Sequence, residues 1–145
     1  MVQKKKKKSK TKGLKYWKKK AWDEFSKYVR LRDALRTTGD RHYARCCSCN
    51  KAYPAFGVGC GQAGHYVNGR THALLFRERG VHFQCYNCNQ TLKGNWVEYD
   101  KFMLETYGQE IANEEKAAKD SNLKYNAAEM QEIYEKYKAK YEELK

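Results

Sequence analysis

Two cysteine pairs bracket one histidine in this chain. Cys46-Cys47-Ser48-Cys49 contains one C-x-x-C, and Cys85-Tyr86-Asn87-Cys88 contains another. His65 lies between them in Ala63-Gly64-His65-Tyr66, and Asn89 directly follows the last cysteine. Each C-x-x-C offers two thiolates from one tight knuckle, and two knuckles fill the tetrahedral shell of a zinc ion. Cys46, Cys49, Cys85 and Cys88 are therefore the expected zinc ligands. Cys46 is preferred to Cys47 because C-x-x-C makes the tight knuckle and C-x-C rarely does. Cys47 and Cys60 are then free thiols. A histidine and an amide beside these knuckles suggest that the zinc holds an active site together.

Phosphodiester hydrolysis suits that residue set. It needs a general base for water, a Lewis acid for the developing charge, and help for the leaving oxygen. His65 is placed for the base. Asn89 is placed to bind a hard cation such as Mg²⁺ or Mn²⁺, through its carbonyl oxygen. The bland readings are a hydrogen-bonded core histidine and an asparagine that only caps a helix. Arg70, Arg77, Arg79 and Lys93 suit phosphate contacts better than catalysis.

Charge points to a polyanion. Of the formal net +13, eleven positive charges lie in the first twenty residues, which carry no acid. Lys4, Lys5, Lys6, Lys7 and Lys8, with Lys18, Lys19 and Lys20, are expected to bind DNA backbone by counterion release, without sequence preference. The bland alternative is a solvated tail. Mean hydropathy is −1.02, so burial alone repays little backbone entropy and a structural metal would make up the deficit. No run approaches the ~18 apolar residues of a membrane span, and the Lys-rich start lacks a signal peptide's apolar segment. We expect a cytoplasmic protein with no membrane partner. Its cysteines then favour metal over disulfides.

The elements that must position these groups can be traced along the chain. Residues 1–15 read as a disordered basic arm. Residues 16–40 read as a helix: Trp17, Ala21, Phe25, Tyr28 and Val29 recur at three- and four-residue spacing, and Gly39 is the expected cap. Residues 41–107 read as the zinc-knuckle core. In it, 41–64 is a knuckle and Gly-rich loop, and His65-Tyr66-Val67 is a short strand. Asn68-Gly69-Arg70 is a hairpin turn, and Leu74-Leu75-Phe76 and Val81-His82-Phe83 are strands. A helix then runs from Asn89 to Tyr107. Residues 108–145 read as two helices. The second, from Asn126, carries Met130, Ile133, Tyr134, Tyr137, Tyr141 and Leu144 on one stripe that packs on the body or pairs with a partner. Knuckle, hairpin, knuckle, helix is the order of a treble clef, or ββα-metal, core. The expected class is α+β, a small zinc-stabilised core flanked by N-terminal and C-terminal helices.

Several strings together resemble the NinG (Rap) recombination proteins of lambda-type phages. They are Ala21-Trp22-Asp23-Glu24-Phe25-Ser26-Lys27-Tyr28-Val29-Arg30-Leu31-Arg32-Asp33, the first C-x-x-C, Ala63-Gly64-His65-Tyr66, Val81-His82-Phe83-Gln84-Cys85-x-x-Cys88-Asn89, Gly94-Asn95 and Tyr107-Gly108. The resemblance covers roughly residues 15–115. It implies a structure-specific endonuclease of phage recombination, acting on branched DNA such as Holliday junctions and D-loops in the infected bacterial host. The spacing is also similar to that of the endonuclease VII group of HNH resolvases. Gly64 stands where HNH enzymes place a metal-binding Asp, and Gly80 where an Asn is usual. Other groups must then complete the metal shell: Glu98, Asp100, His72 or His82. With Asn89 as i of a continuous helix, Lys93 and Asp100 fall near i+4 and i+11 on one face, so Asp100 is the chosen second ligand.

The leading expectation is a Mg²⁺-dependent, zinc-stabilised nuclease for branched duplex DNA. A homodimer would suit two opposed cuts, and phage or host recombination proteins are further partners. The alternative is a non-catalytic zinc-knuckle module that binds nucleic acid or a recombination partner, which Gly64 and Gly80 favour. A C-x-x-C redox protein would want a βαβ context that is not apparent.

Overall fold

The computed structural model describes residues 12–145; Lys4 to Lys8 lie outside them. Over the described residues the fold is α+β, with two small antiparallel sheets among five α-helices. Helix α1 spans Leu14–Thr38, and Gly39 closes it at φ 74°, its N–H on the Leu35 carbonyl. The helix begins two residues before the expected Tyr16. Ala21, Phe25 and Val29 are fully buried, which is the i, i+4 row of a helix facing a core.

Strands β1 (Tyr43–Arg45) and β2 (Ala52–Pro54) form a hairpin whose turn is the first knuckle. The expected loop over 41–64 therefore contains regular structure. Strand β3 (Gln62–His65) pairs with β4 (Val81–Gln84), with Gly64 opposite His82 and His65 opposite Val81. Asn68-Gly69-Arg70 is not a hairpin turn. The connection runs through α2 (His72–Leu75) and a 3₁₀ turn at Glu78–Gly80. Leu74 and Leu75, expected in a strand, are helical because their N–H groups close on the Thr71 carbonyl. A short apolar run does not distinguish the two states.

The expected helix over 89–107 is broken. Asn87–Thr91 forms one π-helical turn, and α3 is confined to Trp96–Tyr107. Lys93, Gly94 and Asn95 between them all have positive φ (50°, 99° and 41°). The left-handed bend lets the Asn95 amide reach Cys88 Sγ at 3.4 Å and the Gly94 carbonyl accept from Gln84 Nε2 at 2.7 Å.

Helix α4 (Gln109–Ala117) follows Gly108, and α5 (Ala127–Leu144) starts at a capping box. Asn126 Oδ1 accepts the Glu129 N–H at 2.8 Å, and Glu129 Oε1 accepts the Asn126 N–H at 3.1 Å, satisfying two end groups reciprocally. The α5 stripe packs back on the body. Tyr137 joins Phe25, Val29, Ala63 and Val81 in one core cluster. Glu78 accepts from Tyr28, Tyr137 and Lys140, tying α1 and α5 to the β3–β4 connection. The buried part of the stripe is therefore occupied within the chain.

Candidate functional site

The four knuckle thiols converge. Sγ atoms of Cys46, Cys49, Cys85 and Cys88 all lie within 4.8 Å of one another, a group that could hold a metal such as zinc. The hairpin turn supplies the first pair, with Asn50 at φ 62° letting the chain return. The π-helical turn begins at the second pair. The Cys47 N–H donates to the Phe83 carbonyl at 3.0 Å, which fastens the first knuckle to β4. Each knuckle also turns a backbone N–H onto its leading sulfur: Cys49 N to Cys46 Sγ at 3.5 Å, Cys88 N to Cys85 Sγ at 3.4 Å. These N–H groups favour the thiolate form that a metal requires. The donor set and these contacts fit zinc. Hydrogen bonding, chiefly with Cys47, pulls the Cys46 thiol down to about 4, while burial pushes Cys88 up to about 12. Cys47 is not one of the four converging thiols and packs against the cluster of Tyr66, Tyr99, Met103 and Ala112.

Above the cluster, β3 and the π-helical turn frame two adjoining recesses of about 340 and 240 Å³. They share Ala63, Arg70, Asn89 and Gln90 and form one groove. Trp22, Ser26 and Arg30 of α1 line one end; His65, Asn68 and Gly94 line the other. His65 and Asn89, 24 residues apart in sequence, thus face one space.

His65 is held from two sides. Its Nε2 lies 3.4 Å from the Leu75 carbonyl, so this nitrogen carries the proton and Nδ1 keeps its lone pair. Its ring stacks on Trp22, centroids 5.1 Å apart and planes 16° apart. Burial pushes its pKa down to about 4, so the imidazole is neutral at physiological pH. Arg70 places its guanidinium 5.0 Å from the Trp22 ring. Trp22 therefore organises both groups, although sequence reasoning assigned it no role; its place in the quoted α1 string was the available signal. Asn89 donates from Nδ2 to Gln62 Oε1 at 2.6 Å, and Gln90 donates to the same oxygen at 2.9 Å. Neither glutamine was foreseen.

Asp100 does not join the groove. The left-handed bend carries it away, and it accepts from the Tyr66 hydroxyl and pairs with Lys116 at 3.6 Å. The other candidates are also engaged elsewhere. Glu98 pairs with Lys101, and His72 Nδ1 accepts the Tyr125 N–H. His82 is fully buried beside Asp33, Arg32 and Arg36. Among the described residues, no Asp or Glu lines either recess. For a hard cation the groove offers amide oxygens and no carboxylate, which is part of a shell only.

Gly64 has a packing reason. A Cβ there would meet Gln84 Oε1 at 2.2 Å, and the Gly64 carbonyl accepts from Tyr99 Oη at 2.7 Å. At Gly80 a Cβ would meet the buried Glu115 carboxylate at 2.8 Å. Lys93 is exposed beside Gly94. Lys18 continues the Trp22–Ser26–Arg30 row by one turn, while Lys19 and Lys20 point to solvent.

A family model described as "Bacteriophage Lambda NinG protein" matches residues 1–145. A protein ninG of Escherichia phage 933W is 30% identical over 131 residues, covering 90% of this chain and 59% of that protein. The protein ninG of Escherichia phage lambda is 33% identical over 100 residues, covering 68% and 43%. That of Salmonella phage P22 is 33% identical over 94 residues, covering 64% and 40%. The chain thus spans about three fifths or less of these relatives' lengths. No solved structure matches.

Proposed function

This chain belongs to the bacteriophage lambda NinG family, and from that premise we propose that it is a structure-specific endonuclease of phage recombination that cuts branched DNA. In this reading, residues 41–107 are a treble-clef, HNH-like nuclease core whose four cysteines hold a structural zinc. The observation that carries it is the meeting of His65 and Asn89 in one cationic groove beside the cysteine cluster.

His65 Nδ1 takes the proton of the attacking water, its other nitrogen being engaged on Leu75. Trp22 covers one face of the ring and keeps it neutral and fixed. Arg30 and Arg70 hold phosphates of the strand in the groove, and the Lys18 row extends that track. A Mg²⁺ or Mn²⁺ ion, with Asn89 among its ligands, would stabilise charge on the phosphate and leaving oxygen. In this reading recognition is by the shape of the branch.

The lack of a groove carboxylate favours a second reading, a zinc-knuckle module that binds branched DNA without cutting it. One experiment separates them. A synthetic four-way junction and a matched linear duplex are incubated with wild type and His65→Ala, with and without Mg²⁺. Paired, metal-dependent cuts at the branch, reduced at least a hundredfold in the variant, support the nuclease. Tight junction binding without cuts in Mg²⁺ or Mn²⁺ supports the module.

A further inference from the structure

We infer that Leu92 is an apolar wedge that fills the gap between unstacked base pairs at a DNA branch, and so sets a preference for branched over linear duplex. The occupant rests on the branched-DNA reading above, with or without cutting. Among the described residues nine large hydrophobic side chains are exposed, and four of them, Tyr86, Leu92, Trp96 and Val97, fall within twelve residues around the left-handed bend. Such a concentration marks a contact surface, which a lone exposed side chain does not. Leu92 is half exposed and stands in the chain between Gln90 and Gly94, which both line the groove, without lining it itself. It therefore sits on the groove's rim. Its backbone is pinned on both sides: its N–H donates to the Asn87 carbonyl at 2.8 Å, and its carbonyl accepts the Asn95 N–H at 3.0 Å. The Gly94 N–H donates to the Cys88 carbonyl at 2.9 Å, which ties the bend to the second knuckle. An apolar side chain on a turn fixed in this way needs little ordering when it meets its ligand.

The charges around Leu92 select the ligand. Lys93 follows it directly and is exposed at φ 50°. The acids of the first turns of α3 are already matched: Glu98 pairs with Lys101 at 3.2 Å and Asp100 with Lys116 at 3.6 Å. Lys116 also lies 5.4 Å from the Trp96 ring, which stacks on Tyr66. The apolar tip is thus flanked by cations and adjoins a groove lined by Arg30 and Arg70. Base faces bordered by phosphates are the matching ligand. In a linear duplex those faces are covered by their neighbours, and a wedge must separate them at the cost of stacking. At a branch the base pairs beside the crossover have already lost neighbours, so that cost is smaller. Leu92 enters where stacking is broken and is excluded where it is intact. Contacts of arginine and lysine with phosphate position the duplex but do not read its bases.

Equilibrium binding to a four-way junction and a matched linear duplex tests this, in buffer without added Mg²⁺ or Mn²⁺ so that the strands stay whole. Both DNAs carry 2-aminopurine, whose fluorescence rises on unstacking, at the base pair beside the crossover or its linear equivalent. Zinc content and melting temperature are matched across wild type, Leu92→Ser, Leu92→Met and Lys93→Ala. Wild type should prefer the junction and raise the fluorescence there alone. Leu92→Ser should bind the junction about tenfold more weakly, the worth of one partly buried leucine, lose the fluorescence rise, and bind linear duplex as before. Leu92→Met should behave as wild type, because it too is a long apolar side chain. Lys93→Ala should weaken both DNAs alike, as loss of a phosphate contact does. Equal losses on both DNAs in Leu92→Ser would overturn the inference, as would an unchanged junction affinity or a fluorescence rise that persists in that variant. So would a wild-type dimer in sedimentation that Leu92→Ser dissociates, since the surface would then belong to a second copy of the chain. A wild type with no preference for the junction defeats the branched-DNA reading as well. A wild type that prefers it but gains no fluorescence defeats the wedge alone.

Discussion

His65 differs from an exposed histidine in ways that a pH profile reads directly. Its Nε2 faces the Leu75 carbonyl and its ring lies on Trp22, so protonation must place a charge in a poorly hydrated site. Burial lowers its pKa from an ordinary 6.5 to about 4. A group with a depressed folded pKa contributes its full stability above the unfolded value and loses it as pH falls through the folded one. Two consequences follow for the free protein. The acid limb of kcat/KM for junction cleavage should fall near pH 4, not near 6.5. Stability to urea should decline between pH 6.5 and 4 in wild type, and decline less in His65→Ala. An acid limb centred on 6.5 would mean that another group is the base, or that the ring is solvated.

At the scale of elements, the β3–β4 pair is built around the absence of a side chain at Gly64. Gln84 is fully buried, and its Nε2 is committed to Ser48 Oγ at 2.9 Å and the Gly94 carbonyl at 2.7 Å. Its Oε1 has no hydrogen-bond partner and lies over Gly64. This one glutamine links the first knuckle, β4 and the left-handed bend that ends the second knuckle. Gly64→Ala should therefore push against a side chain whose amide N–H groups are both committed. Overpacking of this kind costs about 1–3 kcal/mol, which corresponds to a melting temperature lower by roughly 3–9 °C. Differential scanning calorimetry of the zinc-loaded protein checks it. An unchanged melting temperature would show that Gln84 moves freely. The same crowding explains why an aspartate is not accommodated before His65 here.

For the whole molecule, the cysteine cluster and α1 divide the work of holding the fold. Helix α1 packs on both sheets and on α5, and its buried Asp33 accepts the Phe83 N–H at 2.7 Å while Arg32 and Arg36 neutralise it. The knuckles have little apolar core of their own; Cys46, Cys85 and Cys88 are themselves its buried residues. Zinc binding free energies of about 10–16 kcal/mol are folding free energy for such a region. Chelation should therefore unfold the knuckles and the groove while much of the α1–α5 packing survives. Circular dichroism should retain most helical signal after chelator treatment, and junction binding should be lost. Full retention of binding in zinc-free protein would show that the cluster does not support the groove.

Residue chemistry was legible in the string because metal-ligand spacing is local. Two C-x-x-C pairs define their knuckles over four residues each, and a basic N-terminal run needs no fold to be basic. The long amphipathic helices were legible for the same reason, since a 3.6-residue period repeats along α1 and α5. What joins His65 to Asn89 is not local. It depends on β3 pairing with β4, on a π-helical turn, and on three consecutive left-handed residues that end the expected helix at Lys93 and remove Asp100 from the site. Those features arise because Gln84 and Cys88 each require a partner from the bend, a demand that exists only once the knuckles have closed. The tertiary structure alone decided that the groove carries amides and guanidinium groups instead of carboxylates, because its lining comes from α1, β3 and the bend, segments far apart in the chain.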